Sequence, residues 1–193
     1  ATEGEISQLR SVVGSLAWVA RQCRPGLSYS CSKLQSVAPA AQLKHLKEAN
    51  RTLQDAIAGA RQGCYYKAKA FDWNSCVLGT ITDASWAGET SVVEDKVFPR
   101  KSQMGRVTVL ADPRLWDGKS CDFHVIGWKS TLIHRQCRST MHAETQSLCG
   151  GVGMGSKIRT AIAEMRGLRD DDNRDESCAR AMKHVWLTDC ESL

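Results

Sequence analysis

Long hydrophobic runs are missing from this 193-residue sequence. A membrane-crossing helix needs about 20 consecutive apolar residues, so no membrane partner is expected. Cysteine pairs at C-x-x-C spacing are missing too, and the nine cysteines are an odd number. That excludes a fully paired disulfide framework and fits free thiols in a reducing, intracellular, cytoplasmic setting. The opening Ala1-Thr2-Glu3-Gly4-Glu5 is acidic and polar, unlike the basic-then-apolar start of a secretory signal. It also lacks an initiator Met, so the chain reads as a segment of a longer one. There is no internal repeat and no low-complexity tract. Charge of one sign is only mildly in excess, with a net +5 and a pI near 8.8. This is compatible with a polyanionic partner but does not establish one.

What is present is the composition of a globular domain, 42% hydrophobic and 24% charged. Apolar residues recur at helical spacing in 5–21 (Ile6, Leu9, Val13 and Leu16, flanked by Val12 and Val19), and Pro25-Gly26 stops that helix. A second helix fits 27–37, with Leu27, Cys31 and Leu34 on one side, before Pro39. A third fits 41–60, with a stripe of Leu46, Ala49, Leu53, Ile57 and Ala60. The period then shortens. Residues 76–82, 106–110 and 123–128 are short, apolar and β-branched, as strands are. A long helix is predicted over 140–166, a solvated loop over 167–176 around Asp170-Asp171-Asp172, and a buried strand over 184–188. Strands, a helix and a further strand imply an α+β or mixed α/β layer fold.

Two carboxylates end apolar strands, in Ile81-Thr82-Asp83 and Leu187-Thr188-Asp189. Alternation along a strand turns Asp83 the same way as Ile81 and Asp189 the same way as Leu187. A carboxylate aimed with core residues is costly unless paired or bound to a cation, although a strand-end Asp capping a turn is common. A third acid, Glu144, lies early in the long helix, where Ser139 or Thr140 can cap. It falls on a stripe with Met141, Leu148, Val152, Ile158, Ile162 and Met165. The helix dipole explains a Glu near the N-terminus but not its face. Three convergent carboxylates suit hard, oxygen-seeking ions such as Mg²⁺. A pair of such ions stabilises the attacking and leaving oxygens of a phosphodiester displacement.

These residues resemble a known family. Ile81-Thr82-Asp83-Ala84-Ser85-Trp86-Ala87-Gly88 resembles the S-D-A-D-W-A-G stretch of copia-type retrotransposon ribonuclease H domains. Arg100-Lys101-Ser102-Gln103-Met104-Gly105 is similar to their R-R-S-T-S-G, and Ile126-Gly127-Trp128-Lys129-Ser130 to their I-S-W-K-S. Arg138-Ser139-Thr140-Met141-His142-Ala143-Glu144 is similar to the S-S-T-E-A-E-Y segment holding their catalytic Glu. Upstream, Leu9-Arg10-Ser11-Val12-Val13-Gly14-Ser15-Leu16 resembles Y-R-S-L-V-G-S-L, and Arg24-Pro25-Gly26-Leu27-Ser28-Tyr29 resembles R-P-D-I-A-Y, both from the end of the reverse transcriptase.

The resemblance implies a helical end of the reverse transcriptase over 1–68 and a ribonuclease H-like mixed sheet with packed helices over 69–193, truncated at its C-terminus. It implies an endonuclease that hydrolyses the RNA strand of RNA–DNA hybrids within a retrotransposon polyprotein, intracellular and in virus-like particles. Asp83, Glu144 and Asp189 match three of the family's four metal-binding acids, for two Mg²⁺ with Mn²⁺ as a substitute. The fourth acid would lie beyond Leu193. Two departures are Thr145, where the family has Tyr, and a longer link over 111–123. The alternative is a non-catalytic ribonuclease H-like module that only grips nucleic acid.

Three other patterns bear on function. Lys129, Arg135 and Arg138 are candidates for phosphate contacts with a hybrid, against the plainer reading of a solvated basic face. Cys121-x-x-His124 and His134-x-x-Cys137 have zinc-ligand types. An extended strand between them separates the pairs by tens of ångströms at roughly 3.3 Å per residue, unless the chain turns tightly at Gly127. Gly150-Gly151-Val152-Gly153-Met154-Gly155-Ser156-Lys157 superficially suggests a phosphate loop but lacks the Gly-Lys-Ser order and a preceding strand. Small residues that let a helix approach a sheet explain it better.

Overall fold

A computed structural model of the chain describes residues 1–93, 96–168, 176 and 182–190. Three helices come first: α1 (Glu3–Gln22), α2 (Ser28–Val37) and α3 (Leu43–Ala58). They are followed by β1 (Val77–Val93), β2 (Lys96–Ala111), β3 (Phe123–Leu132), α4 (Thr140–Met165) and β4 (His184–Leu187). The four strands form one sheet in the order β3-β2-β1-β4. β1 and β4 are parallel. Only two residues separate β1 from its neighbour β2, and a parallel pair needs a crossover of a dozen or more. That pair is therefore antiparallel, and the architecture is mixed α/β. Among the described residues no helix is long and apolar enough to cross a membrane.

The residues pack into two compact units. One comprises Ala1–Cys64, Ala84–Gly105 and Lys129–Ala143, and the other Tyr65–Asp83, Arg106–Trp128 and the described residues from Glu144 onward. In the first, α1 opens on a capping box in which Thr2 and Glu5 satisfy each other's backbone N–H groups. Its expected stripe is the buried one: Leu9, Val13 and Leu16. Leu9 and Val13 pack with Leu34, Ala38, Ala41 and Ala49, and Leu16 and Ala20 pack with Leu27 and Cys31. A fully buried side chain such as Leu34 contributes roughly 1.5–3 kcal/mol by leaving water. The α3 stripe differs from its expected composition. Ala49 and Thr52 are the buried residues, and Ile57 is 66% exposed. Arg24 closes the C-terminal end of α3 through the carbonyls of Ala56 and Gly59.

β1 and β2 run far beyond the apolar cores that mark them in the sequence. Their added length, 84–93 and 96–105, mixes polar and apolar residues without a continuous apolar run. Ala87 (φ 56°) and Arg100 (φ 59°) break its regularity with left-handed backbone inside a strand. Ser102 Oγ accepts from the Ala87 N–H, and Gln103, buried at 4%, donates from Nε2 to both Ser32 and Ser130. Side-chain hydrogen bonds thus supply much of the order that hydropathy does not.

In the second unit, Cys76 and Leu78 of the β1 end pack with Ile162 and Met182, while Val77 packs with Val109 and Ala111. The 140–166 helix is present as α4. β4, expected as buried, is one of the two edge strands of the described sheet, and Trp186 on it is 54% exposed. The expected loop over 167–176 is described only at Gly167, Leu168 and Glu176, and its three aspartates lie outside the described residues.

Candidate metal centre

Asp83 and Asp189 meet because their strands are in register. Leu78 pairs with His184, Thr80 with Trp186 and Ile81 with Leu187. Carried two residues further, the same offset sets Asp189 beside Asp83. Adjacent strands lie about 4.8 Å apart, so the two carboxylates come within reach of a single cation. Asp189 lies just past the end of β4, but Asp83, expected to end its strand, is interior to β1, which continues to Val93.

Glu144 reaches them from α4. Ser139 caps that helix by accepting from the His142 N–H at 3.1 Å, which fixes the first turn. The buried residues of α4 are Ala143, Glu144, Ser147, Gly151, Gly155, Ile162 and Ala163. Glu144 therefore faces inward as expected, at 4% exposure. Of the rest of the expected stripe, Ile162 is buried and Ile158 packs beside it, but Met141 and Met165 are 51% and 67% exposed. Small residues, not large apolar ones, mark the face, because α4 lies so close to β1 that larger ones have no room. A Cβ on Gly151 would stand 2.6 Å from the Thr82 methyl and 2.8 Å from the Thr80 methyl. Ser147 adds a polar tie, donating to the Asp83 carbonyl at 3.0 Å. It stands one turn beyond Glu144 and so fixes the acid against β1 at Asp83.

The result is a group in which one carboxylate oxygen each from Asp83, Glu144 and Asp189 lies within 4.8 Å of the others. Glu144 is buried, and the two aspartates are exposed. Ile81 is itself 42% exposed, and the buried neighbours are Thr80 and Thr82. The expectation that Asp83 is aimed with core residues is thereby corrected: it opens to water. Oxygens on opposite sides of a Mg²⁺ ion stand about 4.2 Å apart, given bonds of about 2.1 Å. The spacing thus fits an all-oxygen donor set around a hard divalent cation. No other group of three or more His, Cys, Asp or Glu side chains converges in this way among the described residues. Neither Cys121 and His124 nor His134 and Cys137 belong to one. His124 instead packs against the rings of Tyr66 and Phe71. The Gly150–Lys157 run is helix interior within α4, so it cradles no phosphate.

Lys129, Arg135 and Arg138 are all exposed and belong to the first unit. A cavity of about 500 Å³ in that unit, lined by Lys33, His45, Glu48 and Glu89 among others, contains none of the three acids.

One cluster was missed at the level of sequence. His184 Nε2 lies 2.8 Å from Thr80 Oγ1, and Trp186 Nε1 donates to His184 Nδ1 at 3.0 Å. Polar residues inside otherwise apolar strands were the available signal. Burial, with the Arg159 charge adding to it, holds the His184 imidazolium down to a pKa of about 4. Below pH 6.5 the unfolded chain takes a proton that the folded one refuses, so the stability present above that pH is lost as pH falls toward 4. Urea melts at pH 7 and pH 5 should show a larger loss for the native chain than for His184→Gln. Equal losses would mean that His184 is not the group responsible.

Set against protein-family models, curated proteins and solved structures, the chain gives no significant match to any of them.

Proposed function

We propose that this chain is the ribonuclease H part of a copia-type retrotransposon polyprotein, a metal-dependent endonuclease acting on the RNA strand of RNA–DNA hybrids. The observation that carries the reading is the convergence of Asp83, Glu144 and Asp189 from β1, α4 and the residues after β4. The sequence similarities around each of the first two acids agree with it. Asp83, Glu144 and Asp189 would hold the ions, Mg²⁺ or in its place Mn²⁺. Bound there, divalent cations supply Lewis-acid stabilisation of the charge that develops on the attacking and leaving oxygens.

The chain's own residues do the positioning. Glu144 sits on a capped helix whose close approach to β1 is set by Gly151 and to β4 by Gly155, so its carboxylate has little freedom to swing away. Ser147 restrains the Asp83 backbone directly. No side-chain nucleophile is required of this site. Lys129, Arg135 and Arg138 would contact the phosphates of the hybrid, with the remainder of the reverse transcriptase polyprotein as the other partner.

The test is incubation of the chain with end-labelled RNA–DNA hybrid and, separately, duplex DNA. With Mg²⁺ the RNA strand alone should be cut. A chelator should stop the reaction, and fresh Mg²⁺ or Mn²⁺ should restore it. Cleavage that persists in chelator, or that ignores the nature of the strand, would remove this reading.

A further inference from the structure

Trp186 lies on β4, three residues before Asp189, with 54% of its surface exposed. Its polar edge is already engaged. An indole N–H only donates, so His184 Nδ1 accepts it, and the imidazole proton sits on Nε2 facing Thr80 Oγ1. The two rings meet edge to face, with centroids 5.8 Å apart and planes at 88°. His184 in turn is wedged over Gly155, where a Cβ would stand 2.0 Å from the ring. A chain of two hydrogen bonds and one close packing contact therefore fixes the indole's orientation, and the edge-on contact uses little of its flat surface.

A rigidly held, exposed aromatic face is what a stacking platform for a nucleobase requires. Lys183 precedes Trp186 on the same segment and is exposed, with its ammonium over the Trp116 ring, 4.9 Å from the centroid. Arg159 is close enough to act electrostatically on His184, and its Nε is buried without a hydrogen-bond partner among the described residues. Three extended residues span roughly 10 Å, about three base steps at 3.4 Å each. Bases inside a duplex already stack on each other, so an indole at this distance takes a base that is unpaired.

We infer that Trp186 stacks on an unpaired nucleotide flanking the hybrid, so that the preferred substrate is a junction between RNA–DNA hybrid and single strand. This rests on the nuclease reading for its substrate class, but its test does not need cleavage. Fluorescence anisotropy without divalent ions would compare a labelled blunt hybrid with one carrying a single-stranded flank. The native chain should bind the flanked form about ten-fold more tightly, the scale of one base–aromatic stack. Trp186→Ala should erase that preference. Trp186→Phe, which keeps a ring but loses the bond to His184, should keep most of it. An unchanged preference in Trp186→Ala, no preference in the native chain, or a Phe variant as poor as the Ala variant would each overturn the assignment. In a parallel cleavage assay with Mg²⁺, the Ala variant should raise KM for the flanked hybrid at unchanged kcat. Absence of cleavage by the native chain would count against the nuclease reading and leave the binding comparison to stand.

Discussion

Replacing Asp83 by Asn is expected to reduce hybrid cleavage at least a thousand-fold, about 4 kcal/mol of barrier, without weakening the fold. Both halves follow from the same geometry. At 4.8 Å, the widest spacing within the group, two unit charges repel by roughly 3.5 kcal/mol at an effective dielectric of about 20, and by less where water reaches Asp83 and Asp189. Three such groups tolerate one another only at a cost to the cation-free protein, and a site kept for chemistry at that cost is a familiar trade between stability and function. Removing one charge lowers the repulsion and leaves the donor set incomplete. The melting temperature of the Asn variant in chelator should therefore equal or exceed that of the native chain. Undiminished cleavage would take Asp83 out of the site. A melting temperature lower by several degrees would show its carboxylate to be a structural group instead.

The second large effect is expected at Gly155. An added methyl would enter the His184 ring, and that ring has nowhere cheap to go, being held by Thr80 on one side and Trp186 on the other. Overpacking of this kind costs about 1–3 kcal/mol, and loss of the two hydrogen bonds puts Gly155→Ala toward the upper end. For a chain of this size the melting point should drop by roughly 5–10 °C. Gly153 is the control. It lies two residues away on the same helix, with nothing within 4 Å of an added Cβ. Gly153→Ala should therefore gain up to about 1 kcal/mol from helix propensity. Thermal melts of the two variants side by side would check the pair. Similar shifts in both would mean that α4 does not approach β4 as closely as its glycines imply.

The same glycines mark the boundary of what the sequence makes legible. Periodicity reveals α1 and α2 well, because Leu9, Val13, Leu16, Leu27, Cys31 and Leu34 are large, apolar and buried. It places α4 correctly along the chain and turns Glu144 inward. It misassigns the neighbours of Glu144, because Met141 and Met165 satisfy hydropathy while Ser147, Gly151 and Gly155 satisfy space. A stripe chosen for close approach carries little hydrophobic signal. The outer halves of β1 and β2 are invisible for a related reason: Ser102 and Gln103 are buried at 1% and 4% through hydrogen bonds that composition does not encode. Asp83 and Asp189 are legible as acids that follow apolar runs, although β1 continues past Asp83 to Val93. Their adjacency depends on the register of two strands more than a hundred residues apart, a tertiary fact that neither local sequence contains.

Divalent-ion binding by titration calorimetry, on the native chain and on Asp83→Asn, Glu144→Gln and Asp189→Asn, bears most directly on the shared site. One common site requires that Mg²⁺ or Mn²⁺ bind the native chain and that each single replacement weaken binding by at least ten-fold. Native-like affinity in any one of the three variants would show that the three carboxylates do not act together.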